Sequence, residues 1–237
     1  MPADTPRGMV EIFDDFLGDT LNGDLYVSTV SAGGTVAITG VEQDGTVQLD
    51  TDATDGDAAQ LSGNLNWRVQ DGILGVEMRA NLDVITTVGL FIGFTDATSE
   101  TDLIPMTLSG TTFTTTATTA AGLLFDTDAT NDDWHAFWVD DDNDTPEAIA
   151  NLRFTGVAPI ADTFATYRVV LYDQGAGNPA VAEFTIVDNL GRSYQKRFTT
   201  NIDRDAVLTP YIGHENHGAF AHETTVDYFY AWKSRGG

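Results

Sequence analysis

The sequence predicts an all-β protein: an antiparallel two-sheet sandwich of the jelly-roll kind. Three observations carry this. Apolar and polar residues alternate over long stretches, short apolar runs end in Gly- and Asp-rich turns, and no segment shows the 3.6-residue apolar period of a helix.

The first segment, Glu11-Ile12-Phe13-Asp14-Asp15-Phe16-Leu17-Gly18-Asp19-Thr20-Leu21, is an acidic, aromatic lead-in. Short strands are expected next at Val36–Ile38 and Thr46–Leu49. The clearest strand has Leu74, Val76, Met78, Ala80, Leu82 and Val84 on one face. Gly75, Glu77, Arg79, Asn81 and Asp83 fall on the other. Val88, Leu90, Ile92 and Phe94 continue the pattern after a turn at Ile85-Thr86-Thr87.

Further strands are expected at Gly122–Phe125, Trp134–Val139, Thr166–Tyr172, Ala182–Val187, Ser193–Thr199 and Leu208–Gly213. Asp188-Asn189-Leu190-Gly191-Arg192 reads as a hairpin loop between two of them. The Thr-rich stretch Thr111–Thr119 fits either an edge strand or a loop. The last strand, Thr224–Trp232, is aromatic with period 2. Nothing resembles a linker, so one sandwich domain is expected over residues 11–235, preceded by a flexible arm, Met1–Val10.

The 237 residues can bury a sizeable core unaided, and with no Cys neither a disulfide nor a thiolate zinc site is possible. No apolar run approaches the ~20 residues of a membrane span, so no membrane association is expected. Met1–Arg7 lacks an apolar signal core, so signal-directed export is not expected either. The net charge is −25, from 36 acidic and 11 basic residues, and only two of the latter are lysines, Lys196 and Lys233. Such a surface repels nucleic acid. Many carboxylates, few lysines and abundant Thr fit a protein of molar salt, as of a halophilic host. They fit equally an acidic extracellular or particle surface.

Several clusters bear on chemistry. Asp50-x-Asp52-x-x-Asp55-Gly56-Asp57 starts like a calcium loop, but Thr54, Asp55 and Leu61 fall where that loop needs an oxygen donor, Gly and Glu. Two acidic clusters follow, and Asp126, Asp128 and Asp132 of one and Asp140 and Asp142 of the other are candidate Ca2+ or Mg2+ ligands. The preference of Asp for turns explains the same residues without an ion. His214-x-x-His217, with His222 nearby and Glu215 and Glu223 beside them, has the look of a transition-metal pair. It is placed in a loop, where hydrogen bonding or an interface explains it too. No other cofactor is expected.

No strand expected here carries the Glu-x-Asp or Glu-x-Glu spacing that would set two carboxyl groups at the ~5 Å of a retaining glycosidase. Glu77 is followed at that spacing by Arg79, and Glu183 by Thr185. There is no Gly-x-Ser-x-Gly and no phosphate-binding Gly loop. Trp67, Trp134, Trp138, Trp232, Tyr228 and Tyr230 serve either as core or interface, or as stacking surfaces for sugar rings.

The lead-in Phe13-Asp14-Asp15-Phe16 with Gly18-Asp19-Thr20-Leu21-Asn22, and the terminal Val226-Asp227-Tyr228-Phe229-Tyr230-Ala231-Trp232, resemble the two ends of concanavalin-A-like (lectin/glucanase-type) sandwiches. The stretches Leu65-Asn66-Trp67, Gly75–Ala80, Leu90–Asp96, Gly122–Ala129 and Val157–Thr163 resemble concanavalin-A-like structural proteins encoded with the head genes of tailed viruses. The likeness covers most of Glu11 to Arg235. It implies a virion decoration or cement protein on the exterior of the head, bound to the major capsid protein as a homo-oligomer (dimer or trimer) and without catalysis. Contact candidates in that reading are Arg7, Met9 and Val10 of the arm, with Trp67 and His222. The alternative is a carbohydrate-binding, lectin-like module that uses calcium, and a third reading is a glycoside hydrolase.

The charge sets a first expectation. Raising NaCl from 0.1 M to about 1 M shortens the Debye length from about 10 Å to about 3 Å and relieves the self-repulsion. The melting temperature should therefore climb with salt; a flat or falling curve would contradict adaptation to high salt.

Overall fold

The structure, a computed structural model, describes residues 8–31, 33–39, 45–64, 67–98 and 103–235. Two eight-stranded antiparallel sheets face each other across one core. Sheet one runs β16 (Ser193–Thr199), β15 (Val181–Val187), β14 (Ala165–Tyr172), β7 (Ile73–Leu82), β18 (Glu223–Ser234), β4 (Thr46–Asp50) and β3 (Thr35–Thr39). β1 (Met9–Asp14) also pairs with β18.

Sheet two runs β13 (Asn143–Asp144), β12 (His135–Asp140), β11 (Ala120–Asp126), β8 (Val88–Thr95), β17 (Val207–Asn216), β5 (Ala58–Gly63) and β2 (Tyr26–Val30). β6 (Trp67–Arg68) pairs with the start of β17. A separate hairpin, β9 (Met106–Ser109) with β10 (Thr112–Thr115), makes the first half of the Thr-rich stretch a strand and leaves Thr116–Thr119 as loop. The one α-helical element among the described residues is a single turn, α1 (Ile149–Leu152).

The alternation in β7 holds: Leu74, Val76, Met78, Ala80 and Leu82 are buried, while Glu77, Arg79 and Asn81 are half-buried on the outer face. Gly75 has a packing reason, since a Cβ there would run into the Trp232 ring. In β18 the strict period breaks. A bulge between Val226 and Tyr228 shifts the register, so Val226, Phe229 and Ala231 point inward and Tyr228, Tyr230 and Trp232 outward. The extra residue, Asp227, pairs with Arg79. The Asp188–Arg192 loop closes β15 onto β16, with the Asp188 amide donating to the Arg192 carbonyl and Gly191 in the left-handed region.

The lead-in works as a plug. Ile12 points inward and Phe13 outward, and Phe16 then turns back into the core. Phe16 holds a left-handed backbone, φ 52°, with its amide donating to Asp14 Oδ1 at 2.8 Å. Residues 1–7 of the expected arm, Arg7 among them, lie outside the described residues. Met9 and Val10 do not belong to an arm: they open β1, opposite Ser234 and Lys233.

Sheet two departs most from expectation. Every residue of β8, β11 and β12 is buried, not every second one. Val88, Leu90, Ile92 and Phe94 face the main core, as the alternation predicts. Phe91 faces the other way, into a second cluster with Met106, Leu108, Leu124, Phe137 and Tyr211. The β9–β10 hairpin supplies Met106 and Leu108, so it acts as a lid on the outer face. Burying such large side chains contributes about 1.5–3 kcal/mol each, and the double burial explains why these strands read as continuous apolar runs.

Candidate functional site

The register across β11, β8 and β17 builds the site. Asp126, the last residue of β11, sits opposite Gly89 of β8, and Gly89 sits opposite Glu215 of β17. Strands lie about 4.8 Å apart, so Asp126 and Glu215 flank Gly89 on one rung. The Asp126 and Glu215 side chains project from the outer face, just past the hairpin lid. Asp128 follows Asp126 by two residues and His217 follows Glu215 by two. Because Gly89 has no side chain, the His217 ring can lie above it; a Cβ there would sit 3.2 Å from His217 Cε1 and Nε2.

These groups border an open cleft of about 250 Å3, with Asp55 and Gly56 on one side and Thr107 and Ser109 of the hairpin on the other. Asp126 is fixed from two directions. The Leu108 amide donates to its Oδ2 at 2.7 Å and the Asp128 amide to its Oδ1 at 2.9 Å. Burial pushes the Asp126 carboxyl above the ordinary carboxylate range, partly offset by those two amides. Burial also raises Glu215, and the charges of Asp126 and Asp55 add to it.

His217 is anchored by its amide, which donates to the Thr87 carbonyl at 2.8 Å. Its Nδ1 lies 3.5 Å from Asp126 Oδ1 and 3.8 Å from Asp128 Oδ2, and it has no hydrogen-bond partner. Donor atoms of Asp126, Asp128 and His217 all fall within 4.8 Å of one another, a set able to hold a metal ion. Asn216 steadies the rim. Its buried amide nitrogen donates to the Asp52, Thr54 and Phe220 carbonyls, tying the Asp52–Asp57 loop to the β17–β18 connection.

Of the expected metal residues, Asp126, Asp128 and His217 meet, although His217 was expected in a cluster separate from the two aspartates. The others do not join them. Asp132 is exposed on the β11–β12 loop. Asp140 lies at the opposite end of the sheet, accepting from the Thr119 hydroxyl at 3.2 Å and the Asp203 amide at 3.3 Å. Asp142 is an exposed turn residue with φ 61°. His214 is not in a loop: it lies within β17, three residues from His217, so the two rings point to opposite faces. Its side chain is fully buried, with neither ring nitrogen hydrogen-bonded.

Two expected contact residues are corrected as well. Trp67 is fully buried in the main core, and His222 is nearly so, its Nε2 within 2.8 Å of the Thr87 hydroxyl. Neither offers a surface to a partner. Sequence reasoning missed Gly89 and gave Glu215 only as a neighbour of the histidines. The signal for Glu215 was present, because Glu215-x-His217 is the one-face spacing of a strand. The spacing Glu-x-Asp does occur at Glu42/Asp44 and Glu100/Asp102, all of which lie outside the described residues.

The sequence matches no known family profile and no curated protein. Its fold, however, is shared with solved structures. One is a protein of unknown function from Shewanella oneidensis MR-1, at 11% identity, with 97% of this chain and 88% of that chain covered and a TM-score of 0.61. Another is peanut lectin, at 9% identity, 94% and 97% coverage and a TM-score of 0.58. A third is the lectin UEA-II complexed with galactose, at 9% identity, 95% and 98% coverage and a TM-score of 0.57. At such identities the likeness shows the fold alone: the chain is a concanavalin-A-like β-sandwich of the legume-lectin-like kind.

Two buried imidazoles give a pH expectation. Burial holds His214 down to about 3 and His135 to about 4, from an ordinary value of 6.5. Both stay neutral in the folded chain, while the unfolded chain takes up protons below 6.5. Their contribution to stability is therefore complete above pH 6.5 and is lost as pH falls toward 3, by at most about 1.4 kcal/mol per pH unit for each group. Thermal melts from pH 7 to 4 should show a shallower decline for His214→Leu than for the unsubstituted chain. Parallel curves would refute this account.

Proposed function

We propose that this chain is a non-catalytic carbohydrate-binding module that takes its ligand in the cleft around Asp126, Gly89 and Glu215. The observation that carries the reading is the cleft itself: an open recess where carboxylates and an imidazole converge on the rigid ends of three strands. Sugar hydroxyls are good donors to such carboxylates. Lectins of the same fold support the reading, one of them a complex with galactose. The net charge of −25 selects neutral or basic glycans over sialylated or sulfated ones.

The test is binding to an array of neutral and acidic glycans, with calorimetry on any hit. Neutral oligosaccharides should bind, and Gly89→Val, whose side chain would press into the His217 ring at the border of the cleft, should weaken them at least tenfold. Undiminished binding by that variant would move the site elsewhere, and no binding to any glycan would remove the reading.

A second reading is favoured by one surface feature. On the outer face of sheet one, Phe13 is 63% exposed and packs against Tyr228 and Tyr230, whose ring centroids lie 6.0 and 6.1 Å away. In that reading the chain decorates the exterior of a tailed-virus head, as a homo-oligomer held to the major capsid protein by this aromatic strip. Imaging of purified particles should then place it on the head exterior, and Phe13→Asp should strip it off. Particles that lack the chain would end this reading.

A further inference from the structure

We propose that the recess between the β9–β10 turn, the β11–β12 loop and the end of α1 is a second binding site, which takes a small aliphatic monocarboxylate through Arg153 and His135. Among the described residues it shares no lining with the cleft around Asp126, so it stands apart from the carbohydrate reading. Backbone contacts fix its walls. The Gly110 amide donates to the Asp128 carbonyl and the Thr130 amide to the Gly110 carbonyl, both at 2.7 Å. His135 and Arg153 oppose each other in an isolated antiparallel bridge, so their side chains leave the backbone on the same side.

Three observations point to the ligand. The first is an under-used cation. Arg79, Arg192, Arg204 and Lys233 each hold an aspartate at 2.9 Å or less. Arg153 Nε instead lies 3.6 Å from Asp133 Oδ2, too far for a good hydrogen bond, and this buried nitrogen has no hydrogen-bond partner. Asp133 Oδ2 accepts from the Gly156 amide at 3.1 Å. A guanidinium is built to give two parallel hydrogen bonds of about 2.7–2.9 Å to one carboxylate, and here that capacity is unspent.

The second is the imidazole. His135 is 1% exposed, and its Nδ1 is buried without a hydrogen-bond partner. Burial above all holds its pKa down to about 4, and the charges of Arg153 and Lys196 act in the same direction, against Asp133. The ring is therefore neutral at pH 7 and brings a hydrogen bond rather than a second charge. Two unsatisfied buried nitrogens side by side cost free energy that one ligand carboxylate offsets. One of its oxygens accepts from Arg153 and the other from His135 in the Nδ1–H tautomer.

The third is size and lining. The recess holds about 120 Å3, and Ala129, Ile149 and Ala150 give it apolar walls. An apolar cavity of about 150 Å3 takes benzene, so a carboxyl group with a tail of about one to three carbons fits here. On a chain of net charge −25 a carboxylate is otherwise repelled, so the choice of this ligand rests on Arg153.

Calorimetry and proton–nitrogen NMR of the full chain test this, with sodium propionate as the probe at pH 7 and constant ionic strength. Propionate should bind saturably, one per chain, and shift the Arg153 Nε–H and His135 ring signals together. Propionamide, of the same shape but neutral, should bind at least tenfold more weakly. Arg153→Gln should weaken propionate at least tenfold, while Arg197→Gln, which removes an equal charge elsewhere, should leave its affinity within twofold. Thr111→Trp, an exposed substitution at the border of the recess, should block binding by its bulk and stands in if the Arg153 variant does not fold. Absence of saturable binding, equal affinity for propionamide, an equal loss in Arg197→Gln, or undiminished binding in the Arg153 or Thr111 variant would overturn the proposal.

Discussion

Sheet two is buried on both faces, and most of the molecule follows from that constraint. Its inner face packs against sheet one and its outer face lies under the β9–β10 lid. No position of β8 or β11 has room for an unpaired polar side chain until the strands run out from under the lid. Asp126 stands at that limit, which is why a carboxylate can end an otherwise apolar strand. The lid fixes it directly through the Leu108 amide. The same hairpin that dries the outer face thus orients the first polar group beyond it.

The period of the strand then sorts the polar residues. Glu215 and His217 share the outer face with Asp126 and Asp128, while His214 and Asn216 turn inward. Asn216 uses its inward position to hold the rim by three carbonyls. His214 has no such role in hydrogen bonding and stays neutral in a closed environment. Four residues in a row therefore do four different things, and the difference comes from parity and burial rather than residue type.

The sandwich was legible because sheet one obeys simple alternation. In β7 one row is apolar and the other is charged, and Ser193–Thr199 of β16 falls where the turn at Asp188–Arg192 places it. Other elements were hidden for physical reasons. Ala58–Gly63 of β5 is wholly buried yet built from small and polar residues, which have weak strand preference on their own. The lid hairpin is Thr-rich, and only its contact with Phe91, Leu124 and Phe137 makes it a strand pair. Asp126 and Asp128 were visible as candidates, and so was His217. Their meeting was not, because it depends on β8 lying between β11 and β17, a matter of topology rather than spacing.

The basic residues show the same economy. Arg168 of β14 lies within 4.0 Å of both Glu77 and Glu183, and Arg197 of β16 within 3.8 Å of Glu183. These pairs are partly exposed and each contributes little to stability by itself. Their placement matters more than their strength. They sit on the outer face of sheet one, while the described lining of the cleft on sheet two holds carboxylates and no Lys or Arg. With a net charge of −25, the chain carries far more carboxylates than it can pair with cations, and several of them line the cleft. A neutral contact surface suits the aromatic face around Phe13. A hydroxyl donor suits the cleft, and the two faces of one sandwich are thereby set apart by where the paired arginines stand.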